Sequence, residues 1–166
     1  MSLFRRFPID YQMDLQDCGP SCLKMIAKFY GKYYSMQYLR DKCGITKEGV
    51  SLLDLSTGAE SIGLRTLSVK CTLTDLIEKV PFPTIVFWNE NHFVVVHHAT
   101  KKYIYVADPT KGKVKYTHAE FAKGWLLDGE EQGVLLAVEP TATFSDSAGE
   151  REQQKDSFWG ILKYFA

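Results

Sequence analysis

A thiolate that attacks, an imidazole that moves protons and a carboxylate that orients the imidazole can together break an amide bond. The thiol that invites this reading is Cys18, in the string Gln12-Met13-Asp14-Leu15-Gln16-Asp17-Cys18-Gly19-Pro20. A helix is expected to begin at this cysteine, and the partial positive charge at a helix N-terminus favours thiolate over thiol. Gly19 reads as room for a substrate backbone, and Pro20 costs no hydrogen bond in a first turn. The opposing reading is a small, inert core cysteine. A thiol nucleophile also needs a base, and there are four histidines. His118 reads as a surface residue near a helix start capped by Thr117. His97 and His98 read as strand-end residues beside the turn Thr100-Lys101-Lys102. His92 opens the run His-Phe-Val-Val-Val directly after Asn89-Glu90-Asn91, which puts it at the mouth of a sheet.

Asp108 strengthens the case for His92. Segments 92–98 and 103–107 form an expected hairpin, and a register centred on residue 100 sets His92 opposite Asp108. The same register pairs Val94 with Val106 and Val96 with Ile104, matching apolar residues on one face. Directly opposed Cβ atoms lie roughly 4.5–5.5 Å apart, within reach of a carboxylate–imidazole bond. A slip of one residue would break the pairing. Taken alone, Asp108 before Pro109 is ordinary turn chemistry. Acyl transfer also needs oxyanion donors: the Cys18 N–H is one, and the amide of Gln12 or of Gln16 the other. Spacing does not choose between the two glutamines. A zinc site on Cys18 and Cys22 is a third reading, but no second ligand pair has the expected spacing.

These groups need elements to hold them. Helix 18–30 has Asp17 as its expected N-cap and Gly31 as its stop. Cys22, Leu23, Met25, Ile26, Phe29 and Tyr30 make it apolar on more than one side, so it is expected to be central. Helices at 36–43 and 51–62 follow, then a short strand at 64–69 and a helical turn at 75–79 closed by Pro81 and Pro83. The runs 84–88, 92–98, 103–107, 113–116 and 133–138 are β-branched and aromatic-rich strands. Helices first and antiparallel strands later indicate an α+β fold. The division expected is a domain over 1–140, a polar linker over 141–157 and a closing segment FWGILKYFA over 158–166. That ending is too short to span a membrane and too apolar for a free tail.

Composition bounds the rest. The chain has 166 residues, 45% apolar and 24% charged, which suits one soluble domain with a tail. Twenty basic and twenty acidic side chains cancel, so no cationic face for nucleic acid is expected. No run approaches the ~20 apolar residues of a membrane span, and no signal peptide is visible. Four cysteines without an export signal are expected to be reduced thiols in the cytosol.

Gln12 six residues before Cys18, the string DCGPSCLKMI over 17–26, FYG over 29–31, NHFVVV over 91–96 and VADP over 106–109 resemble one family. It is the bacteriocin-processing cysteine peptidases, the N-terminal domains of peptidase-containing ABC transporters. The resemblance runs from about residue 8 to residue 138, in the family's order. It implies a papain-like fold and cleavage of a precursor's leader after a double-glycine-type motif. By motif position it implies Cys18 as nucleophile, His92 as general base, Asp108 as its partner and Gln12, not Gln16, at the oxyanion. It also implies that transmembrane and nucleotide-binding domains are partners at the cytoplasmic face of a bacterial inner membrane. No metal or cofactor is expected for this domain; the phosphate-binding GxxxxGK[ST] loop is absent, so no ATPase activity is assigned to it and ATP would bind a separate domain. FWGILKYFA then resembles the approach to a first membrane helix. The rival from another class is a module that binds leader peptides without cutting them.

Overall fold

The computed structural model of the chain describes residues 6–144 and Phe165. A single 3-10 turn, Leu15–Asp17, leads into helix α1, Cys18–Phe29, followed by α2, Met36–Cys43, and α3, Leu52–Ser61. Strand β1, Leu64–Thr72, and helix α4, Leu73–Lys79, come next. The rest is β2, Thr84–Trp88; β3, His92–Ala99; β4, Tyr103–Asp108; β5, Gly112–Thr117; helix α5, His118–Trp125; and β6, Gln132–Pro140. All six strands join one antiparallel sheet in the order β1-β6-β2-β3-β4-β5. The α+β architecture is the one expected.

Alternation along the strands divides the interior. Phe93 and Val95 of β3 belong to a first core with α1, α2 and α3, while Val94 and Val96 belong to a second with α4 and α5. Cys22, Leu23, Met25, Ile26 and Ala27 of α1 have no exposure at all, so this helix is central as its all-round apolarity indicated. Each such Leu, Ile or Met contributes about 1.5–3 kcal/mol on burial. The platform for the first residue of α1 is therefore firm. On the other face Gly124 lets α5 close onto the Trp88 ring, where a Cβ would stand 2.2 Å from the indole.

Element bounds depart from expectation where a distant partner sets them. The strand read over 64–69 continues to Thr72, because β1 pairs with β6 from Leu64↔Pro140 to Thr72↔Gln132. Residues 141–144, assigned to the linker by composition, are part of the fold. Thr141 donates to the Gly63 carbonyl, and the Phe144 ring is 2% exposed in the first core. The remainder of the linker and of FWGILKYFA lies outside the described residues, except Phe165, which rests partly buried against the second core. Among the described residues no helix is long and apolar enough to cross a membrane.

Candidate active site

Cys18 is the first residue of α1 and lines an open cleft of about 490 Å³, with Leu15, Gln16, Lys47, Val50, Phe87 and Phe93 around it. Asp17 occupies the cap position but makes no capping bond. Its backbone, at φ −86° and ψ 3°, continues the 3-10 turn instead of the extended shape from which a side chain reaches the first helical amides. The carboxylate is instead buried and gripped by the Arg40 guanidinium, with Nε donating to Oδ1 at 2.8 Å. Those bonds hold the Asp17 carboxyl below its ordinary range. Two consequences follow for the thiol. No capping carboxylate occupies the positive pole of α1, and the Asp17 carboxylate next to Cys18 is matched by a cation. Gly19 also differs from its reading. A Cβ there would stand 2.5 Å from Val50 Cγ2 and 3.3 Å from Leu55, so the glycine admits neighbouring side chains, not a substrate.

His92 Nε2 and Asp108 Oδ1 are 2.8 Å apart, although not as directly opposed residues. Val96 faces Val106, where the sequence suggested Ile104, and Val95 faces Ala107. The turn sits later, with Ala99 opposite Ile104, and a bulge at His97 takes up one extra residue on β3. The net slip of two positions preserves parity, so the carboxylate becomes a diagonal neighbour on the same face and still reaches the ring. Asp108 is 1% exposed. Burial pushes its pKa up, but bonds from His92 and from the Thr110 N–H and hydroxyl outweigh that and bring it down to about 2. For His92 burial opposes the charged ring, yet the hydrogen bond to Asp108 and the neighbouring Cys18 sulfur raise it to about 9. With Nε2 held by Asp108, Nδ1 is the nitrogen left for the thiol.

The two glutamines separate by what holds them. The Gln12 N–H donates to the Pro109 carbonyl at 2.9 Å, which ties the loop before Cys18 to the residue after Asp108. Its side-chain Nε2 donates to the Asp14 carbonyl at 3.0 Å, and Oε1 is buried with no protein partner. Gln16 Nε2 donates to the Lys47 carbonyl at 3.0 Å, so this amide braces the cleft wall.

The remaining cysteines and histidines have other surroundings. The Cys22 thiol donates to the Phe93 carbonyl at 3.3 Å, and burial pushes its pKa well up. Burial likewise raises Cys43 and Cys71 to about 12. His97 stacks on Phe7 with ring centroids 4.9 Å apart, and burial brings it down to about 4. His118, read as a surface residue, is half-buried against the Thr100 carbonyl at 2.9 Å, with Thr117 capping α5 as expected. Sequence reasoning missed Thr110. The string Asp108-Pro109-Thr110 was the available signal, since an aspartate ahead of a hydroxyl residue is a side-chain-bonded turn.

Residues 6–143 match the model of the Peptidase C39 family. The chain is 35% identical over 159 residues to the lactococcin-G-processing and transport ATP-binding protein LagD of Lactococcus lactis subsp. lactis, covering 93% of this chain and 22% of that protein. It is 30% identical over 140 residues to the colicin V secretion/processing ATP-binding protein CvaB of Escherichia coli, covering 84% and 19%. The chain thus spans about a fifth of the length of these relatives. Among solved structures, a double glycine motif protease from an AMS/PCAT transporter in complex with the leader peptide aligns at TM-score 0.75 and 32% identity, covering 82% of this chain and 93% of that one. The peptidase domain of Streptococcus ComA aligns at TM-score 0.73 and 25% identity, covering 82% and 100%.

Proposed function

The chain belongs to the Peptidase C39 family, as a cysteine peptidase domain, and on that premise we propose that it cuts the leader from a precursor peptide after a double-glycine-type motif. The observation that carries this reading is the His92–Asp108 pair, at 2.8 Å, with the Cys18 sulfur at the start of α1 close enough to favour the charged ring. Cys18 Sγ attacks the carbonyl carbon of the leader's last residue, and the carbonyl electrons move to oxygen. The Cys18 N–H and the Gln12 amide hold that oxyanion; Gln12 Nε2 turns from the Asp14 carbonyl to reach it. The intermediate collapses, the C–N bond breaks, and the protonated His92 gives its proton to the departing amine. Water then attacks the thioester as His92 takes its proton; the C–S bond breaks, its electrons return to Cys18 as thiolate, and the leader leaves as a carboxylate. Leu15, Val50, Phe87 and Phe93 form an apolar part of the cleft lining beside the thiol, where the residues before the scissile bond would lie.

The relatives are transport ATP-binding proteins, and from them we infer the setting of this domain. It works beside membrane-spanning and ATP-binding domains at the cytoplasmic face of a bacterial membrane, where cleavage is coupled to export of the trimmed peptide. The nucleotide belongs to those domains and the cleavage chemistry to Cys18. The test is incubation of the chain, and of a Cys18→Ala variant, with a precursor peptide whose leader ends in Gly-Gly, followed by mass analysis. One cut directly after the glycines, absent with the variant, is the expected result. Tight binding of intact peptide by the native chain without cleavage would establish the non-cutting module instead.

A further inference from the structure

Three donors converge on one oxygen of the buried Asp108. His92 Nε2 lies 2.8 Å from Oδ1, the Thr110 N–H 2.8 Å and the Thr110 hydroxyl 2.7 Å. A carboxylate is free to rotate about its last torsion, and two donors from a single residue fix that rotation. The turn carrying them is itself anchored, because the Pro109 carbonyl accepts the Gln12 N–H. Thr110 as a residue is exposed. An exposed turn threonine ordinarily accepts substitution without cost, yet here its hydroxyl is turned back onto a carboxylate that solvent does not reach.

We propose that Thr110 is a positioning residue of the site, whose hydroxyl locks the Asp108 carboxylate in the orientation that holds the His92 ring toward Cys18. The hydroxyl touches no substrate. It acts through Asp108, and the backbone N–H of residue 110 supplies half of the lock whatever the side chain. Serine keeps the donor, and valine keeps the shape while removing it. The consequence for cleavage rests on the peptidase reading above. The consequence for the thiol does not, since the reactivity of Cys18 depends on the same imidazole whether or not any peptide is cut.

The experiment compares the native chain with Thr110→Val, Thr110→Ser, Asp108→Ala and Asp108→Ala/Thr110→Val. Two readouts are taken: steady-state cleavage of a Gly-Gly precursor peptide, and the rate at which iodoacetamide alkylates Cys18 at neutral pH, followed by peptide mapping. Thr110→Val is expected to lower kcat about tenfold with KM little changed, one hydrogen bond to a charged group being lost. It should slow Cys18 alkylation in parallel and lower the melting temperature by only a few degrees, leaving the chain folded at the assay temperature. Thr110→Ser should restore both rates. In the Asp108→Ala background the valine should cost nothing more, because the group it acts through is gone. Native kcat and alkylation in Thr110→Val would overturn the proposal, and so would an equal loss in the Asp108→Ala background. A native chain that leaves the peptide whole overturns the peptidase reading instead, and the alkylation rates still decide Thr110.

Discussion

His92 carries a charge that its burial opposes, and the pH dependence of the site follows from what holds that charge. Its pKa is raised from 6.5 to about 9, so its contribution to stability is complete below 6.5 and is lost as pH rises through about 9. Asp108 is lowered from 3.8 to about 2, so its contribution is complete above 3.8 and is lost as pH falls through about 2. Both are fully present between those two ordinary values. We expect kcat/KM to fall on an alkaline limb near pH 9 as His92 loses its proton. Replacing Asp108 with Asn should move that limb toward 6.5 and lower kcat by roughly 10²–10⁴, as for other orienting carboxylates. A pH–rate series on the two proteins tests both statements. Among the thiols, burial pushes up Cys22, Cys43 and Cys71 while Cys18 lines the cleft. A limiting alkylating reagent at pH 7 should therefore modify Cys18 first; preferential labelling of Cys43 or Cys71 would contradict this assignment. The glutamines should separate kinetically. Gln12→Ala should lose roughly 10²–10³ in kcat, the cost of one oxyanion donor. Gln16→Ala should act mainly on KM, because its amide braces the Lys47 wall of the cleft.

At the scale of elements, α1 and the β3–β4 pair bring the three groups together. The helix is held by side chains with no exposure, and its first turn packs so closely that Gly19 has space for no carbon beyond its own. Gly19→Ala would drive its methyl into Val50 Cγ2, at 2.5 Å in the native packing. Overpacking of this kind costs typically 1–3 kcal/mol. Urea denaturation should show that loss, and because Val50 lines the cleft, KM should rise with it. The β3–β4 pair tolerates its bulge for a related reason. A single inserted residue at His97 shifts the ladder, but the region beyond it keeps apolar Val96 against Val106 and leaves His92 and Asp108 on one face.

For the whole molecule, the site lies where two cores share one sheet. Cys18 starts a helix of the first core, and β3 and β4 supply residues to both cores. Residues past β6 complete the first of them, with Phe144 seated against Gly63 and its ring edge-on to Tyr30 at 6.4 Å. Phe144→Ala should therefore destabilise the domain by about 3 kcal/mol or more, in the range for aromatic truncation in a core. Equilibrium denaturation checks this, and a change under ~0.5 kcal/mol, ordinary for a surface position, would place Phe144 outside the core.

Much of this was legible in the residues alone. Cys18 at a helix start, His92 at a strand start and the helix 36–43 all rest on local periodicity and turn chemistry, which a sequence carries within a few residues. So did Asp108 as the partner of His92, since parity along a strand survives a slip of two. What only the tertiary structure decided depends on groups far apart in the chain. Arg40 claims the Asp17 carboxylate across 23 positions, the length of β1 follows β6, Val50 and Leu55 fill the space that Gly19 leaves, and Phe144 returns to the core. The chemistry available at a position is a property of its side chain and near neighbours. Which of its possible partners a side chain takes depends on the packing of the whole fold, and short-range pattern contains no record of it.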